Sequence, residues 1–323
     1  MGPTGDLDPG RGVDYPFRAV PELPDVTVYV EQIARRVAGT TLLGVRVASA
    51  FLVRSFDPPL SGAAGRRVLG VRRVGKRVVL ALDGDLFLAI HLMIAGRLHW
   101  KDEREARLPG KVGLAAFDFD AGTLLLTEAS RKRRAALHLV RGEHGLRELD
   151  AGGLEPLAAS LAEFEAALLR ESHTLKRSLT DPRLFAGIGN AYSDEILWEA
   201  RLSPVQLTGN LDEEAIARLF EATRTVLRGW TDRLRAEAGD AFPEKVTAFR
   251  EGMAVHGRFK KPCPRCGSPV QRIVRAENEV DYCATCQTGG RLLADRALSK
   301  LLGKDWPKTL EEMEEWKRAS RER

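Results

Sequence analysis

The stretch CPRCGSPVQRIVRAENEVDYCATC, residues 263–286, contains all four cysteines of a 323-residue chain. They form two CxxC knuckles, Cys263/Cys266 and Cys283/Cys286, with sixteen residues between them. Knuckles at that separation can point four thiolates at one tetrahedral zinc while the intervening residues fold into a hairpin. A redox pair is the alternative, but the two matched knuckles leave no cysteine over. A closed four-thiolate site has no open coordination position, so one structural zinc per chain would fold a small module and take no part in chemistry. Between Ala254 and Arg275 there are six lysines or arginines and no acid. That flank suits a clamp on a nucleic-acid backbone.

Composition is that of an ordinary soluble protein, 44% hydrophobic and 29% charged, with a net charge of +5 and a pI near 9.1. No apolar run is long enough to span a bilayer. The first twenty residues lack the apolar segment of a secretory signal, so a cytoplasmic location is the default expectation. A second basic run, Arg131-Lys132-Arg133-Arg134, lies in the first half. Each basic run alone reads as a solvated face; two in one chain favour a polyanion partner.

Working back from the hairpin, the chain reads as α+β and multidomain. Residues 1–20, rich in Gly, Pro and Asp, read as a disordered leader. Residues 21–150 read as an antiparallel β-sandwich with flanking helices. There KRVVLAL and LFLAIHLMI flank the turn Asp83-Gly84-Asp85, and LAAFDF and TLLLTEA flank Asp120-Ala121-Gly122. Val26, Val30, Ile33 and Val37 share one helical face, with Gly39 as its C-cap. Residues 151–245 turn helical, interrupted by FAGIGNAYSDEI, where Asn190 suits an N-cap. Residues 246–289 hold the hairpin. Residues 290–323 form a charged tail whose LEEMEEWKRASRER reads as a solvated helix.

A further motif is AVPELPDVTVYV, residues 19–30. Taken alone, a Pro-Glu-Leu-Pro box is a turn, Lys76 a basic residue at a strand start, and Asn190 a helix cap. Their order along the chain, followed by the four-cysteine hairpin, resembles the formamidopyrimidine-DNA glycosylase / endonuclease VIII family of base-excision repair enzymes. The resemblance runs from about Pro21 to Gln287. It implies a sandwich domain, a helix–two-turns–helix domain and a zinc-finger hairpin. It also implies that Pro21 is the amine nucleophile and Glu22 the catalytic glutamate. By the same resemblance Lys76 in RRVGKRVVL, Lys176 in HTLKRSLTD and Asn190 in GIGN hold phosphate. Damaged double-stranded DNA would be the partner of a monomer, with no membrane partner.

The chemistry explains these residue types. A damaged base must leave the stack before it can be excised. An amine can then attack the sugar C1′, displace the base and form a Schiff base. An α-amine titrates near 7.7–8.0, far below a lysine, so part of it is neutral without a special pocket. Glu22 would move protons to and from the sugar. Strand cleavage by elimination follows from the acidified C2′ position, giving a bifunctional glycosylase and abasic-site lyase.

Four positions depart from the pattern. Pro21 is internal as written, so its nitrogen is an amide; an alternative start at Val20, processing of the leader, or loss of catalysis would each account for this. Asn278 stands where the finger arginine falls, with Arg275 out of register. Ile94 takes the place of the family's methionine, beside Met93, and the loop TEASRKRRAALHL carries no Phe. Asp25 replaces a glutamate. A catalytically silent DNA-structure binder and an RNA-binding zinc-ribbon protein are the competing readings.

Overall fold

The computed structural model describes residues 20–130, 132–244, 246, 250–275, 278–293 and 307–321. The expected disordered leader falls outside these residues, apart from Val20. Helix α1 (Leu23–Val37) begins three residues before the valine face, because Pro24 suits its first turn and Asp25 places an acid there. Val26, Tyr29, Ile33 and Val37 are fully buried, each burial worth about 1.5–3 kcal/mol. Gly39, just past the end, takes the left-handed backbone expected of a terminator.

Eight strands follow: β1 (Thr41–Val47), β2 (Arg66–Val74), β3 (Arg77–Leu82), β4 (Leu86–His91), β5 (Gly96–Lys101), β6 (Gly113–Phe119), β7 (Gly122–Glu128) and β8 (Ala136–Arg141). They pair antiparallel in the order β5-β7-β6-β1-β2-β3-β4-β8. Only a short β1–β2 pairing, Thr41↔Arg67 and Leu42↔Arg66, joins the two four-stranded halves. One core is shared between them: Val78, Leu80 and Ile90 of one half lie with Phe117, Leu124 and Leu126 of the other. That is the expected sandwich. Leu82 pairs with Leu86 across the predicted turn, where Gly84 and Asp85 have positive φ. In the second hairpin Phe119 pairs with Gly122, so the turn is Asp120-Ala121 and Gly122 opens the strand. A short helix α2 (Gly142–Glu148), which periodicity did not mark, places Leu146 over Val79, Phe87 and Ala89 on the outer face.

The helical region contains α3 (Leu161–Leu169), α4 (Leu175–Thr180), α5 (Asn190–Glu199) and α6 (Glu213–Ala238). Phe164 centres its core, with ring centroids 4.8 Å from Phe185 and 5.4 Å from Phe220. Asp212 caps α6 by accepting from the Ala215 amide at 2.8 Å. Helix α6 also packs on α1, where Gln32 donates to the Gly239 carbonyl at 2.8 Å.

Strands β9 (Gln271–Arg275) and β10 (Asn278–Tyr282) form the predicted hairpin, followed by α7 (Ala284–Thr288). The tail helix α8 (Leu310–Arg321) corrects the sequence reading. Leu310 and Met313 pack on a cluster with Ile273, Val280 and Tyr282, so one face of α8 is docked rather than solvated.

Glu195 joins α5 to the segment before the hairpin. Its buried carboxylate accepts from the amides of Ala254, Val255 and His256 at 2.7, 2.9 and 2.9 Å. Glu195→Ala strands three donors, and the expected loss is about 3–5 kcal/mol in urea unfolding. Glu195→Gln, which keeps one acceptor oxygen, should lose less.

Candidate active site and nucleic-acid interface

The Pro-Glu-Leu-Pro box lies against the GIGN loop. The Leu23 amide donates to the Gly187 carbonyl at 2.9 Å. The Glu22 side chain turns into the start of α5, where it accepts from the amides of Gly189 at 2.6 Å, Ala191 at 2.9 Å and Tyr192 at 3.3 Å. A helix N-terminus offers unpaired amides and a positive dipole end, so a carboxylate can be buried there. Glu22 is 1% exposed. The cap differs from the sequence reading: Gly189 is the N-cap and Asn190 the first helical residue. Glycine is required for space, since a Cβ at 189 would fall 2.5 Å from both Glu22 Cδ and Lys76 Nζ. Lysine and glutamate therefore meet over this residue. Burial draws the Lys76 ammonium below the ordinary lysine range, Glu22 and Asp25 oppose that shift, and Lys176 adds to it.

Asp25 accepts from the Glu22 amide at 3.0 Å and pairs with Arg250 at 2.7 Å. Burial still pushes its carboxyl above the usual range, against the pull of Arg250. The shorter aspartate thus fixes the backbone of Glu22 and ties it to the chain beyond α6.

A cavity of about 350 Å³ opens beside this pair, lined by Val20, Lys76, Arg77, His91, Met93 and Ile94 among others. Pro21 itself is buried. His91 escaped the sequence reading. Burial, then Arg77, Lys76 and His138, depress its pKa to about 4, so the ring is neutral near pH 7. Its signal was positional: it pairs with Arg77, the neighbour of Lys76, across the β3–β4 hairpin. Met93 lines the cavity from a left-handed backbone, φ 52°, a conformation seldom adopted by residues other than glycine, asparagine and aspartate. Met93 and Ile94 are both present at the cavity where a single methionine was expected.

Lys176 and Asn190 line a second groove of about 220 Å³, with Arg177 on the helical side and Ile273 and Val280 on the hairpin side. Lys176 has two of its three ammonium donors engaged within the fold. Its Nζ donates at 2.6 Å to both the Asn190 carbonyl and Asp194 Oδ1, and the residue is 9% exposed. It positions the first turn of α5. Asn190 faces the groove, as does the exposed Arg177, which the sequence reading passed over. Asp194 also pairs with His256 Nδ1 at 2.8 Å. Asp281 of β10 accepts from the Gly257 amide and Arg272 Nε, each at 2.8 Å. A buried polar chain thus runs from Asn190 to the hairpin.

The four sulfurs lie within 4.8 Å of one another, with Cys266–Cys283 at 3.4 Å and Cys263–Cys286 at 4.0 Å. A tetrahedral zinc with 2.3 Å bonds needs sulfurs about 3.8 Å apart, so the donor set fits. Trp198 Nε1 donates to Cys263 Sγ at 3.3 Å, and the Arg265 guanidinium stacks 3.9 Å over the Trp198 ring. These contacts seat the first knuckle on the C-terminal end of α5. The Asn278 backbone pairs with Arg275 at the hairpin tip, but the Asn278 side chain lies outside the described residues.

Sequence comparison matches three family models in the expected order. They are the formamidopyrimidine-DNA glycosylase N-terminal domain over 20–135, the H2TH domain over 153–232, and the zinc finger found in FPG and IleRS over 260–289. A formamidopyrimidine-DNA glycosylase of Heliobacterium modesticaldum is 35% identical over 83% of this chain and 100% of its own length. The chain belongs to the formamidopyrimidine-DNA glycosylase family. A Thermus thermophilus glycosylase of that name is 34% identical over 84% of this chain and all of its own. The crystal structure of MutM (Fpg) from the same species superposes with a TM-score of 0.68 at 33% identity, over 83% of this chain and 98% of that one. The fold is shared with Lactococcus lactis Fpg bound to Fapy-dG DNA, at TM-score 0.73 and 24% identity, over 83% of this chain and 100% of that one.

Two outcomes follow from this geometry. Purified protein should carry one zinc per chain by metal analysis. Cys263→Ser should release it and abolish retention on DNA while the sandwich stays folded. For His256, burial lowers the pKa, but the Asp194 hydrogen bond and charge outweigh that and leave it above 6.5. The ion pair therefore contributes stability that is complete below about pH 6.5 and is lost as pH rises through the higher folded value. The stability difference between the parent and His256→Gln should shrink from pH 6 to pH 9 in urea titrations; a flat difference would contradict the assignment.

Proposed function

We propose that the chain is a bifunctional DNA glycosylase and abasic-site lyase acting on oxidised or ring-opened bases, working from a free amine at Pro21. One observation carries the reading. A buried carboxylate, Glu22, is held by three amides beside a lysine with a lowered pKa, at the edge of a cavity that begins at Val20.

The amine lone pair attacks C1′ and the glycosidic bond electrons leave with the base, which takes up a proton. The Glu22 carboxylate takes the N–H proton of the bound amine and passes it to O4′ as the C1′–O4′ bond opens, which gives the Schiff base. Removal of a C2′ proton then expels the 3′ phosphate with the C3′–O electrons. Asp25 fixes the Glu22 backbone, and Gly189 leaves room for Lys76 to reach the same point. Lys76 and Asn190 would hold phosphate, and zinc takes no part in these steps. A silent DNA-damage binder is the second reading, favoured by the amide that joins Val20 to Pro21.

Borohydride trapping on duplex DNA with an abasic site separates the two. The comparison is between the 323-residue protein and a form beginning at Pro21. An adduct from the Pro21 form alone identifies the amine. Glu22→Gln in that form should slow adduct formation about 10²–10⁴-fold with affinity retained. No adduct from either form, with zinc bound and DNA retained, leaves the binder.

A further inference from the structure

On the outer face of the half-sheet that carries Lys76, Arg72 pairs with Glu143, but among the described residues Arg77 has no such partner. Helix α2 covers one end of this face, over Val79 and Phe87. Toward the other end, Arg77 lies opposite His91, and His138 lies opposite Ala89. Residues two apart on a strand share a face, so Arg77, His91 and His138 project to the same side. The segment after β1 then runs along the edge strand β8. Val53 bridges Leu137, the Arg54 amide donates to the Leu137 carbonyl at 2.9 Å, and the Leu139 amide donates to Ser55 Oγ at 2.8 Å. Exposed Arg54 thereby stands beside His138.

Two details separate this row from an ordinary solvated face. Buried Arg77 Nε and buried His138 Nδ1 have no hydrogen-bond partner, and buried polar atoms left single point to a ligand or water that completes them. The charges also face one another: burial, then Arg77 and Arg54, lower the His138 pKa. Among the described residues, neither Arg54 nor Arg77 has an acid within ion-pair distance; Asp150, on the cavity wall, acts on Arg77 only through its field.

We propose that Arg77, His138 and Arg54 form a phosphate track that grips the DNA strand as it leaves the cavity. This rests on the preceding reading of the cavity as the lesion site and extends it to a surface outside it. From β3 through β4 and β8 to the Arg54 segment is about 14 Å at the usual strand spacing. That spans about four base steps at 3.4 Å each. Two arginines supply the charge, and a ring N–H of His138 donates to a phosphate oxygen.

The test is equilibrium binding of the full chain, at several salt concentrations, to two duplexes carrying a central tetrahydrofuran abasic analogue. The long duplex runs past the track, and the short one stops about two base steps from the lesion, short of Arg54. For Arg54→Ala/His138→Gln, affinity for the long duplex should fall about 5-fold and the log–log salt slope should drop by about 1, with the short duplex unaffected. Unchanged affinity and slope on the long duplex, or an equal loss on both, overturns the track and leaves the cavity reading standing. If the parent protein does not prefer abasic to undamaged duplex, the cavity reading fails and the track falls with it.

Discussion

The carboxylate of Glu22 rests on the N-terminus of α5, and the arrangement of the site depends on that contact. Three amides satisfy a charge that could not otherwise be buried. Hydrogen bonds to an ionised group contribute about 1.5–3 kcal/mol each, enough to offset much of its desolvation. Because α1 begins at the next residue, the same contact locks the first helix of the sandwich domain onto the helical domain. Gly189 then lets Lys76 approach from the β2–β3 turn, so three separate segments converge on one point. A side chain at that glycine would push Glu22 and Lys76 apart.

A second set of polar contacts makes the hairpin part of the same body. Glu195 holds the segment entering it, and Asp194 links Lys176 to His256. Lys176 is thereby committed to holding the backbone of Asn190. The hairpin has a small core of its own, built on Ile273, Val280 and Tyr282 and extended by Leu310 and Met313 from the tail. A module of that size needs a staple, which the four-thiolate site supplies. Trp198 and Arg265 pass the order of the zinc site on to α5.

Much of the architecture could be read from local pattern. The hairpin turns at Asp83–Asp85 and near Asp120, the valine face of α1, the helices of the second domain and the cysteine spacing all appear within windows of a few tens of residues. The misreadings share a cause. Asn190 is an excellent cap by residue type, but Gly189 took that role because Glu22 supplies the acceptor a capping side chain would have provided. The tail looked solvated because its charges outnumber Leu310 and Met313, whose partners lie in the hairpin. His91 looked like an ordinary strand residue until the β3–β4 register set it beside Arg77. Lys176 carries the motif of a phosphate ligand, and its hold on Asp194 and on the Asn190 carbonyl could not be read from that motif.

By itself the sequence determined most of the element types and the metal-binding cysteines, because periodicity, turn chemistry and thiolate spacing act over short stretches of chain. Only the tertiary structure decided which charges are free and which are already paired. Glu22 meets Gly189 across 167 positions of chain, and Asp25 meets Arg250 across 225. Whether a buried charge works or merely holds the fold depends on what it touches, and no local pattern records contacts at that separation.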